Sequence, residues 1–105
     1  MLVQNLDKTF PDRYADYTQA ALHSLISAGD RNALAALYDR TAPLAYRVAY
    51  GLIGDARLAA DAVYDAFCEG WHAPGSYDPL RTSVTGWVIG LVAARAEPVA
   101  GRVAA

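Results

Sequence analysis

Cysteine appears once in the 105 residues, at Cys68. One thiol forms no internal disulfide and builds no multi-cysteine zinc site, and such sparing use of cysteine suits a reducing cytoplasm. The helical stretch around Cys68 is acidic, a poor setting for a nucleophilic thiolate, so the residue reads as a small packing side chain. The two histidines, His23 and His72, are not followed by a ligand at i+3 or i+4, and a metal site needs several convergent donors. A glycine-rich phosphate loop is also missing. Gly51-Leu52-Ile53-Gly54 closes a helical pattern instead of opening one, so it offers no helix N-terminus to a phosphate. No apolar run approaches the length of a membrane span, and the polar residues within Met1 to Phe10 make a poor secretion signal. Basic charge is not in excess: 9 Lys and Arg stand against 11 Asp and Glu, a net charge of −2. A generic nucleic-acid binder carries a strong basic surplus. Aliphatic β-branched residues are few, 8 Val and 3 Ile, against 22 Ala. Alanine lowers the cost of helix and β-branching favours strand. These shortages leave a small all-α domain, soluble and cytoplasmic, with no enzyme chemistry, no cofactor and no metal.

What is present is helical periodicity. Residues 1 to about 15 show no sustained period and read as a flexible arm. A first helix is expected from Asp16 to Ala28, with Ala21, Leu22, Leu25, Ile26 and Ala28 on one face. Gly29 suits a left-handed cap at its end. Asp30 then caps a second helix, Arg31 to about Leu52. Its apolar stripe comprises Leu34, Leu37, Tyr38, Leu44, Ala45, Val48, Ala49 and Leu52, and Pro43 should bend it. Gly54-Asp55 ends that helix and caps the next. The third helix, Arg57 to Trp71, buries Ala59, Ala62, Val63, Ala66, Phe67, Gly70 and Trp71. Asp61, Asp65 and Glu69 recur every fourth residue on another side, the pattern of a solvated face or a partner surface. Ala73-Pro74-Gly75 stops the helix, and Ser76 to Thr82 forms a loop. A last helix begins near Ser83, turns Trp87, Val88, Leu91 and Val92 inward, and ends by Glu97 because Pro98 follows. The domain therefore spans residues 16–97, with a short tail over 98–105. Trp71 and Trp87, at the inner edge of apolar stripes, should both be substantially buried.

Taken in order, these residues resemble a known family. Gly29-Asp30, Ala33-Leu34-Ala35-Ala36-Leu37-Tyr38-Asp39 and Tyr46 are followed by Gly54-Asp55. Leu58-Ala59-Ala60-Asp61-Ala62-Val63-Tyr64-Asp65-Ala66-Phe67 and Trp71 come next. Tyr77-Asp78-Pro79-Leu80-Arg81-Thr82-Ser83 and Gly86-Trp87-Val88-Ile89 complete the set. The pattern is similar to region 2 of bacterial sigma factors of the extracytoplasmic-function (ECF) group, from about Ala20 to Arg95. The resemblance implies a compact helical domain that docks on RNA polymerase. The third helix would bind the clamp helices of the largest polymerase subunit, through Asp61, Tyr64, Asp65 and Cys68. The following loop and last helix would melt and read the promoter element nearest the start site, through Tyr77, Arg81, Trp87 and Arg95.

The chain departs from that family at several positions. Tyr64 stands where Gln is usual, Cys68 where a large aliphatic is usual, and Glu69 where a basic residue is common. The last helix usually continues with Asn, Asp and several cations, whereas here only Arg95 and Arg102 are cationic. Phosphate neutralisation sets DNA affinity, so weak promoter binding at most is expected, with Tyr77 and Trp87 available to stack on unpaired bases. The family's helix-turn-helix domain has no counterpart in these residues, which fits either a fragment or a stand-alone region 2 module. Two readings follow: a sigma-factor domain in promoter-dependent initiation, or a sigma-like module that regulates by occupying polymerase or an anti-sigma protein. A homodimer held by the alanine-rich helices is a third.

Overall fold

The computed structural model describes residues 13–104. The described residues form four α-helices and a short 3-10 turn, with no strand among them. Helix α1 spans Gln19–Ser27, α2 Arg31–Ile53, α3 Ala56–His72 and α4 Val84–Ala104, and the turn Pro74–Ser76 follows α3.

Local chemistry sets most of the boundaries. Thr18 caps α1, its hydroxyl accepting from the Ala21 amide at 3.0 Å. The helix therefore starts three residues later than Asp16. At its other end Gly29 has φ +93°, the Gly29 amide donates to the Ile26 carbonyl and the Asp30 amide to the Leu25 carbonyl. This paired closure needs a left-handed residue, which glycine supplies without a Cβ penalty. Asp30 then accepts from the amides of Asn32 and Ala33 at 3.0 and 3.2 Å, opening α2. Asp55 does the same for α3 through the Leu58 amide at 2.9 Å.

The core is lined by small residues. Helices α2, α3 and α4 bury Ala33, Ala36, Ala45, Ala49, Ala59, Ala62, Ala66 and Ala96, with Leu37 and Val92 among the largest side chains shut off from solvent. The buried row of α2 runs through Ala33, Leu37, Thr41, Ala45, Ala49 and Ile53. Thr41 is tolerated there because its hydroxyl donates to the Leu37 carbonyl at 2.8 Å. Leu44, Leu52 and Tyr38, expected on this stripe, are 40–44% exposed and flank it instead. Both prolines lie inside continuous helices, Pro43 in α2 and Pro98 in α4. The expected stop at Glu97 is thus replaced by a helix that runs on to Ala104. Ala96 is fully buried, and Val99 and Ala100 pack on the core. That burial offsets the one hydrogen bond a proline removes.

The expected arm divides. Residues 1–12 lie outside the described residues, but Tyr14 is buried and its hydroxyl donates to Asp30 at 2.7 Å. Arg40 reaches back to the carbonyls of Tyr14 and Tyr17 at 2.5 and 2.7 Å. The structured part therefore begins before Asp16. The Tyr14 bond holds the Asp30 carboxyl below its ordinary range, against the opposing effect of burial, and the same bond raises the Tyr14 phenol.

Two stability measurements follow. Leu37 is fully buried and Leu80 is 94% exposed. In urea unfolding, Leu37→Ala should cost about 2–5 kcal/mol and Leu80→Ala less than about 0.5 kcal/mol. Folding depresses the Asp30 pKa, so its contribution is present above the unfolded-state value of about 3.9. It disappears as pH falls through the lower folded-state value. Asp30→Asn should flatten this acid limb of the stability profile; an unchanged limb would assign it to other carboxylates.

Candidate functional site

Two surfaces hold the residues singled out from the sequence. The first is the outer face of α3. Asp61, Tyr64 and Asp65 are exposed there, Tyr64 to 68%, while Cys68 is half-buried. A hydrogen bond to the Cys68 side chain raises the Tyr64 phenol above its ordinary value. Asp61 is flanked by Arg57 one turn earlier, with 3.5 Å between guanidinium and carboxylate. Glu69 is not part of an open acidic stripe: its carboxylate accepts from Arg95 of α4 at 2.9 Å. Among the described residues Asp65 makes no ion pair. The stripe of three is thus closed at one end by Arg95, Asp61 is paired along the helix with Arg57, and Asp65 near the middle of α3 is the member without an ion pair.

Beside them lies an apolar groove between α2 and α3, about 550 Å³ in volume. Leu34 and Tyr38 form one wall, and Tyr64, Phe67, Cys68 and Trp71 the other. Tyr38 meets Phe67 edge-on, with centroids 5.0 Å apart. The Arg31 guanidinium lies 5.5 Å from the Trp71 ring centroid, a distance at which a cation is drawn to the ring face. Trp71 is half-buried and packs against the edge of the core. His72 also lines this groove, one turn beyond Cys68. The groove escaped the reading by sequence. Its α3 wall was visible as Tyr64, Phe67, Cys68 and Trp71 at helical spacing, but the facing wall comes from a helix about 30 residues earlier.

The second surface is the end of the bundle where α3 leads into α4. Here an open cleft of about 350 Å³ is lined by Ser76, Asp78, Arg81, Gly86, Trp87 and Leu91. Asp78 builds the loop: its carboxylate accepts from the Leu80 amide at 2.9 Å, and its carbonyl from the amides of Arg81 and Thr82. Arg81 is exposed, and Trp87 is only 8% exposed, its indole donating to the Ser76 hydroxyl at 2.9 Å. Trp87 rests against α3 at Gly70, where an added Cβ would come within 3.2 Å of the ring. Tyr77 is half-buried and touches Trp87 from outside the cleft, with centroids 5.8 Å apart. Arg95 lies two turns along α4 from Trp87 and is held by Glu69. Arg81 and Trp87 therefore share a site, Tyr77 backs it, and Arg95 stands apart. No group of His, Cys, Asp and Glu among the described residues is arranged to hold a metal, and no helix among them is long and apolar enough to cross a membrane.

Comparison with known proteins fits this geometry. Residues 37–96, which contain α3, the loop and most of α4, match the family model of sigma-70 region 2. Over 71 residues, 68% of the chain, it is 32% identical to proteins from two Mycobacterium sp. strains, KMS and JLS, each named ECF RNA polymerase sigma factor SigK. The RNA polymerase sigma factor SigK of strain MCS matches equally. The aligned stretch covers 37% of the length of these relatives. No solved structure gives a significant match. An all-α bundle with this order of helices, a matched segment spanning more than half of the chain, and relatives that are themselves sigma factors place it plainly: the chain belongs to the sigma-70 region 2 family.

Proposed function

We propose that this chain docks on RNA polymerase as the region 2 part of an ECF-type sigma factor and takes part in promoter-dependent transcription initiation. The observation that supports this most is the α3 face. Asp61 and Asp65 stand exposed on either side of Tyr64, next to an apolar groove. Acidic side chains around an apolar seat suit a basic amphipathic helix, and the clamp helices of the largest polymerase subunit are the partner that family membership suggests. Charges at the rim steer association and fix register, while the groove supplies burial. Cys68 and Tyr64 then contribute groove wall, and no step involves bond chemistry.

The promoter-reading half rests on the cleft of Arg81 and Trp87, backed by Tyr77. Its cationic content is low: Arg81 is the cation of the cleft, and Arg95 is neutralised by Glu69. This favours weak contact with DNA by the chain alone. It also keeps open the reading of a sigma-like module that regulates by occupying polymerase or an anti-sigma protein. Polymerase places such a domain in the cytoplasm.

Two experiments separate these readings. Asp61→Lys combined with Asp65→Lys should abolish binding to purified clamp helices while circular dichroism and melting stay close to the parent. Parental binding at low salt would reduce this face to a solvated helix surface. Titration with labelled single-stranded promoter DNA should give a Kd on the order of 10⁻⁴ M or weaker at physiological salt. Tight, sequence-dependent binding would show that the cleft carries more of the contact than its charge suggests.

A further inference from the structure

We propose that His23 of α1 is the positioning residue of the Arg81 and Trp87 cleft. It does not itself line the cleft and lies outside the 37–96 segment that the family model matches. Its Nε2 is 2.7 Å from the Pro74 carbonyl oxygen. A carbonyl only accepts, so Nε2 carries the hydrogen and the bond fixes the ring's orientation. The imidazole meets Tyr77 at 4.6 Å and Trp87 at 5.2 Å between centroids, both edge-on. The Pro74 carbonyl also accepts from the Tyr77 amide at 3.3 Å. The 3-10 turn is thus held from inside by its own backbone and from outside by His23.

The turn carries the residues that fix the cleft floor. The Ser76 hydroxyl donates to the Ala73 carbonyl at 2.8 Å and accepts from the Trp87 indole. Two separate anchors therefore converge on Trp87: the Ser76 bond at its nitrogen and the His23 ring against its π-system. Three-residue 3-10 segments have poor internal hydrogen-bond geometry, so a side chain arriving from 51 residues away does what the turn cannot do alone. Removing it leaves the Pro74 carbonyl with only the 3.3 Å bond from the Tyr77 amide, and Ser76, Tyr77 and the Trp87 indole lose their common reference. The cleft loop then samples more conformations and pays ordering entropy on binding.

The functional consequence rests on the reading of this cleft as the DNA-facing surface, but the positioning role is measurable without DNA. In ¹H–¹⁵N spectra of the full chain the indole N–H of Trp87 reports the cleft, and that of Trp71, in the other groove, serves as reference. His23→Ala should move the Trp87 indole resonance and speed its hydrogen exchange while leaving Trp71 unchanged. His23→Gln, which restores a donor near Nε2, should return Trp87 towards the parent position. Affinity for a fluorescein-labelled single-stranded oligonucleotide at low salt should fall about three- to tenfold in His23→Ala and recover in His23→Gln. Clamp-helix binding should stay at the parent level in both. An unmoved Trp87 indole in His23→Ala, or equal movement of both indoles, overturns the inference. If the parent chain fails to bind the oligonucleotide, the DNA reading of the cleft falls, and the indole resonances still decide the role of His23.

Discussion

Trp87 is packed where four parts of the chain meet. α4 carries it, α3 offers a flat seat at Gly70, the 3-10 turn takes its indole hydrogen, and α1 covers it with His23. A buried tryptophan contributes one of the largest single burials a small domain can have, and truncation of such a side chain costs about 3–5 kcal/mol. Its ring also carries a polar hydrogen that must be satisfied when water is excluded. Ser76 meets that need, and through it the position of the loop becomes a condition of core packing. The cleft is therefore as rigid as the core beneath it on one side and as loose as an exposed loop on the other.

The interior elsewhere is built on the opposite scheme. Alanines line the α2, α3 and α4 contacts, and Phe67 and Trp87 are the large rings of these helices that the core takes in. The tyrosines are pushed outward: Tyr38, Tyr46, Tyr50 and Tyr64 are all exposed, and Tyr46 and Tyr50 stack on each other at 6.0 Å. An alanine core thus produces an aromatic surface. The groove beside α3 is lined at this seam by Tyr38, which is exposed, Trp71, which is half-buried, and Phe67, which is buried between the helices.

The helices themselves were readable, because their signals are local. Asp30, Asp55, Gly29 and Gly54 each mark a boundary through a bond or a dihedral within a few residues. The start of α1 was missed because Thr18 caps it more directly than Asp16 can. The end of α4 was missed because Pro98 speaks locally for a stop, while Ala96, Val99 and Ala100 speak through packing that lies far away in sequence. The same distance hid parts of the candidate surfaces. Asp61 and Asp65 stand out on the helix as their spacing indicates. The pairing of Glu69 with Arg95, the Tyr14 bond to Asp30 and the reach of His23 to Pro74 span 26, 16 and 51 residues. No periodicity encodes such contacts.

Gly70 fits its place for a reason that belongs to another residue. The helix would gain about 1 kcal/mol from alanine there by propensity alone. An added methyl would lie 3.2 Å from the Trp87 ring, so the ring would have to give slightly, and its bond to Ser76 and its contact with His23 resist that. Positions 70 and 87 are consequently coupled through packing. Among relatives, a residue with a side chain at the first position should travel with a smaller or displaced ring at the second. A change at either position alone would be opposed by the other through packing, apart from any demand that function makes.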